Sequence, residues 1–107
     1  MRIRVVHPQD DSRLVAMVGH DRALSWFAEV RHHGRLVEEY DKLVAVEPST
    51  LAGVLQVLVK HGFFTQRDLE FGLSQLYFGF DLKEVEGDGA RRVAELVVFL
   101  KQGAASD

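Results

Sequence analysis

ALSWFAEVRHHGRLVEEY, running from Ala23 to Tyr40, decides the fold. Leu24, Trp26, Ala28 and Val30 recur at period two, with Ser25, Phe27, Glu29 and Arg31 at the alternate positions. Such alternation marks a strand with one buried face. His33-Gly34 then supplies a hairpin turn, because glycine tolerates positive φ and histidine enters the left-handed region more readily than most residues. Leu36–Tyr40 is the returning strand. A helical pattern competes over the same stretch. Leu36, Val37, Tyr40, Leu43 and Val44 fit i, i+1, i+4, i+7, i+8, and residues 22–33 fit a helix capped by Asp21 and stopped by Gly34. The β-meander is the reading adopted.

Toward the N-terminus, Ile3–Val6 reads as a short strand and His7–Ser12 as a loop with Pro8 and two acids. Leu14–Val18 is an apolar run, followed by an expected turn at Gly19-His20-Asp21. Toward the C-terminus the period changes to helical. Pro48-Ser49-Thr50 is a helix start with Ser49 or Thr50 as N-cap. Leu51, Val54, Leu55, Leu58 and Val59 form the apolar stripe, Lys60 and His61 suit the last turn, and Gly62 is the stop. Thr65 opens a second helix, with Asp68 in place of the Glu of a capping box. Its stripe is Leu69, Leu73, Leu76 and Tyr77, and Gly79 ends it. Gly87-Asp88-Gly89 breaks the chain before a third helix with Ala90, Val93, Leu96, Val97 and Leu100 on one face. A strand-rich first half and a helix-rich second half give an α+β fold: a small antiparallel β-meander, an αα-hairpin and a C-terminal helix. Residues 1–103 are expected to form one domain, with 104–107 as a flexible tail.

Composition narrows the functional classes. At 107 residues, 47% hydrophobic and 27% charged, the chain suits a single globular domain. A net charge of −3 argues against nucleic acid, whose binders usually carry a basic excess. The absence of cysteine removes disulfides, thiolate metal sites and a cysteine nucleophile together. MRIRVVHPQDD carries charge at every second residue near its start and has no apolar signal region. The apolar stretches Leu51–Val59 and Val93–Leu100 fall short of the ~20 residues that span a bilayer. A cytoplasmic location is the expectation, with no membrane as a partner.

The chemistry-bearing residues have structural explanations. His7, His20, His32, His33 and His61 show no metal-ligand spacing, and the meander holds His20 at the opposite end of a strand from His32 and His33. Ser12, Ser25, Ser49, Ser74 and Ser106 lie in no nucleophile elbow. Glu38 and Glu39 point to opposite faces of a strand, and Glu84 and Glu86 read as a solvated face. Asp81–Arg92 has Lys83 and Arg92 where a calcium loop needs ligands. Gly87–Arg92 fails the phosphate-cradle spacing and would set Asp88 against the anion. No catalytic residue, metal site or cofactor is therefore assigned.

The remaining signal is aromatic. Most of the aromatic residues fall between Phe63 and Phe80, in FFTQRDLEFGLSQLYFGF. Each such ring buries ~150–250 Å² in a core or a contact. The reading is a small non-enzymatic interaction or regulatory module, contacting another protein or forming a homodimer. Trp26, Phe27, Phe63, Phe64 and Phe78 are the candidate contact residues, since Trp and Phe are enriched at interfaces. The alternative is a helix-turn-helix DNA-binding regulator spanning residues 50–77, with Gln66, Arg67 and Gln75 facing DNA and Asp68 and Glu70 opposing it.

Overall fold

Period two prevails over period 3.6 between Ser25 and Tyr40. The computed structural model describes residues 2–7, 13–71, 91 and 93–98. Within them, β1 (Arg2–Val6), β2 (Leu14–Asp21), β3 (Ser25–His32) and β4 (Arg35–Tyr40) form one antiparallel sheet in the order β1-β2-β3-β4. The helix α1 (Leu51–Lys60) follows. Residues 66–71, 91 and 93–98 are also helical. The expected α+β architecture, a small antiparallel meander followed by helices, is the one observed.

Register explains the alternation. Ile3 pairs with Val18, which pairs with Ala28; Val5 pairs with Ala16, which pairs with Val30. Ala16, Val18, Ala28 and Val30 are all buried, and Ile3 and Val5 pack against the same core. Across from them lie Leu51, Val54, Leu55 and Leu58 of α1, then Phe63, Phe64, Leu69, Val93, Leu96 and Val97. The radius of gyration, 13.1 Å, matches the ~13 Å of a compact chain of about this length.

The turns follow local chemistry. His33 and Gly34 both have positive φ, 51° and 79°, as a two-residue hairpin turn requires. The turn expected at Gly19-His20-Asp21 is instead the end of β2 and needs correcting. Gly19 sits in register between Arg2 and Phe27, and its missing side chain leaves room for the Arg2 guanidinium, 5.1 Å from the Phe27 ring centre. The chain reverses over residues 22–24, where Asp21 Oδ1 accepts the Leu24 N–H at 2.7 Å. Leu24 therefore lies in the turn, outside the strand set in which the alternation placed it. Leu43 and Val44 join no helix. Asp41 Oδ1 accepts both of their N–H groups and holds them in a turn.

Among the described residues, two expected helix starts are found. Thr50 is the N-cap of α1, its Oγ1 accepting the Gly53 N–H. At the other end, the Phe63 N–H donates to Leu58 O and the Gly62 N–H to Val59 O, with Gly62 at φ 80°. That pair of bonds is a Schellman cap. Thr65 and Asp68 exchange bonds reciprocally, each side chain accepting the other's backbone N–H. The expectations for Ser12, Leu73–Gly79, Asp81–Ala90, Leu100 and the tail 104–107 lie outside the described residues.

Candidate functional site: a groove, an apolar loop and a carboxylate cluster

The candidate aromatics occupy different environments. Phe27, Phe63 and Phe64 are buried. Trp26 is half-buried, packs against the core, and meets the His20 ring edge-on at 4.9 Å. Phe63 meets His7 edge-on at 5.1 Å. Phe78 lies outside the described residues. In this chain Phe27, Phe63 and Phe64 thus already bury most of the area that an interface would ask of them.

Phe63 and Phe64 nevertheless form one side of a groove. A cavity of about 340 Å³ opens between β1 and the helical residues 93–98. Ile3, Val5, Phe63, Phe64 and Leu96 give it apolar walls, and Arg4 and Glu95 supply its charge. Its size falls in the lower range of ligand sites, ~300–1,000 Å³. The groove runs beside an edge strand: among the described residues, β1 pairs only with β2. From the sequence, Phe63 and Phe64 are candidate contact residues. Nothing in the sequence signals that β1 lies beside them.

A second feature lies at the opposite edge. Leu36 and Val37 of β4 and Leu43, Val44 and Val46 after it are exposed. Leu43 is 77% exposed and Val46 fully so, at 103%. β4 also departs from regular pairing: Val30 opposes Glu38 while Arg31 opposes Leu36, so Val37 is the extra residue of a bulge. Only the competing helical pattern, not the meander adopted, places Leu43 and Val44 on an apolar stripe.

A third cluster joins β4 to α1. Glu38 Oε1 accepts from Lys60 Nζ at 3.0 Å and lies 2.6 Å from His61 Nε2. Burial pushes the Glu38 carboxyl up, but the hydrogen bonds and positive charge of His61 and Lys60 outweigh it and hold the group below its ordinary value. Glu39 is exposed on the other face, opposite Glu29. The two adjacent carboxylates are separated as their alternation requires. Glu38 is tied to Lys60 and His61, an arrangement that positions a helix end against a strand.

The polar candidates do not converge. His20 sits opposite Trp26 and His32 opposite Leu14, at opposite ends of the β2–β3 ladder. Among the described residues, no three His, Asp or Glu side chains are grouped to hold a metal ion. Ser49 is buried, and its hydroxyl reaches Leu24 O at 3.5 Å. Gln66 and Arg67 are exposed at the start of the second helix, beside the capping Asp68 and the exposed Glu70; Gln75 lies outside the described residues. No described helix is long and apolar enough to cross a membrane. Comparison with protein-family models, with curated proteins and with solved structures found no match.

Proposed function

We propose that this chain is a small non-enzymatic interaction module whose principal contact surface is the β4 edge and the loop after it. One observation carries the reading: Leu36, Val37, Leu43, Val44 and Val46 are exposed within a single short stretch. Isolated exposed hydrophobics need no explanation, but five of them between Leu36 and Val46 exceed that ordinary scatter and support a contact role. The partner is another protein, a second copy of the chain included. Phe27, Phe63 and Phe64 serve the fold first, and Trp26 is the aromatic candidate that keeps part of its surface for contact.

A photo-reactive amino acid in place of Val46 tests the reading in living cells and with the purified chain. The expected result is a discrete adduct of defined mass that is lost when Leu43 and Val44 are both changed to Ser. An adduct of twice the chain's mass with purified protein identifies the partner as a second copy. Absence of any discrete adduct, or an adduct indifferent to the two Ser substitutions, removes the proposal.

A further inference from the structure

We infer that the groove beside β1 is a binding site for an extended peptide strand in which apolar and acidic residues alternate. Two observations fix that chemistry. The first is the edge itself. Among the described residues β1 has β2 on one side and no strand on the other. An edge strand presents unpaired N–H and C=O groups, which a further strand satisfies by main-chain hydrogen bonds. The cavity lies along that edge, with Phe63, Phe64 and Leu96 as its far wall.

The second observation is how charge is distributed across β1. Ile3 and Val5 pack against the core, while Arg2 and Arg4 are exposed at the alternate positions; Arg2 lies 3.9 Å from Asp21 and over the Phe27 ring, and Arg4 also lines the groove. A strand added to β1 continues the same alternation. Every second residue enters the groove against Ile3, Val5 and Phe64, where apolar side chains match the lining. The intervening residues stand beside Arg2 and Arg4, where an acidic side chain complements Arg4 in particular, since Arg2 already lies beside Asp21. Of the two charges that line the groove, Arg4 lies on β1 and Glu95 on the far side, so an acid is favoured beside β1 and disfavoured against Glu95. About five residues, ~17 Å of strand, cover β1. Arg4 thereby acquires a role that the fold alone does not demand of it.

The probes are three capped heptapeptides: Glu-Val-Glu-Val-Glu-Val-Glu, the same peptide with Lys for each Glu, and the Glu peptide with its central Val and the neighbouring Glu N-methylated. Amide shifts of the isotope-labelled full chain are followed by NMR during titration. The expected result is saturable shifts at β1, Phe63, Phe64 and Leu96 with the Glu peptide. Binding of the Lys peptide is about tenfold or more weaker, as charge discrimination of this kind gives. N-methylation, which removes strand donors, abolishes the shifts. Arg4→Glu, at an exposed position, reverses the preference between the Glu and Lys peptides. Equal response to both charges, shifts mapping away from β1, or an N-methylated peptide that binds as well as its parent overturns the inference. This site and its readout are separate from the Val46 surface, so either can fail alone.

Discussion

Gly53 in α1 lies against the Tyr40 ring so closely that a Cβ at position 53 would overlap the Tyr40 hydroxyl. The same hydroxyl accepts the Thr50 N–H at 3.0 Å. The last residue of β4 is thus seated in the first turn of α1, and the glycine in that turn makes the seat.

Gly53→Ala therefore destabilises the protein, although alanine is intrinsically the better helix former by roughly 1 kcal/mol. Displacing the ring and its hydrogen bond outweighs that gain, for a net loss of about 1–3 kcal/mol. Urea unfolding of the single and double variants checks it. In a Tyr40→Ala background the same substitution is expected to become neutral or stabilising. Additive losses would show that the two residues do not share one site.

The Schellman cap at Gly62 provides a second prediction. Its φ of 80° disfavours any side chain, and a Cβ there would come within 3.0 Å of His7 Nε2. Gly62→Ala is expected to lose roughly 1–2 kcal/mol from backbone strain alone, with the crowding of His7 added. His7→Ala relieves the second part and leaves the first. A double-mutant cycle by chemical denaturation separates the two: full additivity would mean that the histidine plays no part.

The Glu38 cluster makes stability depend on acid. Its folded-state pKa lies below the ordinary value of 4.5, because His61 and Lys60 favour the charged form more than burial opposes it. A carboxyl shifted in this direction contributes stability above the ordinary value, and the contribution is lost as pH falls through the folded value. Glu38→Gln is expected to lower stability at neutral pH by roughly 0.2–1 kcal/mol and to flatten the acid limb of the profile. Added salt is expected to shrink the difference. Thermal melts from pH 3 to 7 check both; a steeper acid limb in the variant would contradict the assignment.

Phe27 offers a test of fold against contact. It is buried, with the Arg2 guanidinium over its ring. Phe27→Ala is expected to lose about 3–5 kcal/mol, as truncation of a buried ring does. Arg2→Ala, at a largely exposed cation, is expected to lose no more than ~1 kcal/mol. Circular dichroism melts compare them. A Phe27→Ala protein as stable as the parent would mean that the ring is not part of the core.

Much of the local structure was legible from residue order. The His33-Gly34 turn, the Thr50 cap, the Gly62 stop and the Thr65–Asp68 box each depend on neighbours within a few positions. Where the reading missed at Gly19, distant residues intervened. Gly19 reads as a turn on its own terms, yet it is the gap across which Arg2 reaches Phe27. Leu43 and Val44 fit only the competing helical stripe, and the neighbouring Asp41 instead draws both of their N–H groups into a turn and leaves the side chains in solvent.

The functional surfaces were less legible for the same reason. Sequence names Phe63 and Phe64 as notable rings and Arg2 and Arg4 as alternating charges, but strand alternation states only which residues share a face. It does not state which helix lies beside which edge. The sequence by itself determined the meander, its hairpin, the Thr50, Gly62 and Thr65–Asp68 caps and the apolar stripe of α1, because these rest on backbone preference and periodicity over a few residues. Only tertiary structure decided that β1 faces Phe63, Phe64 and Leu96 across a groove, that Glu38 meets Lys60 and His61, and that the chain after β4 stays exposed. Those outcomes depend on how the sheet and helices pack, a balance of burial among residues dozens of positions apart that no local pattern records.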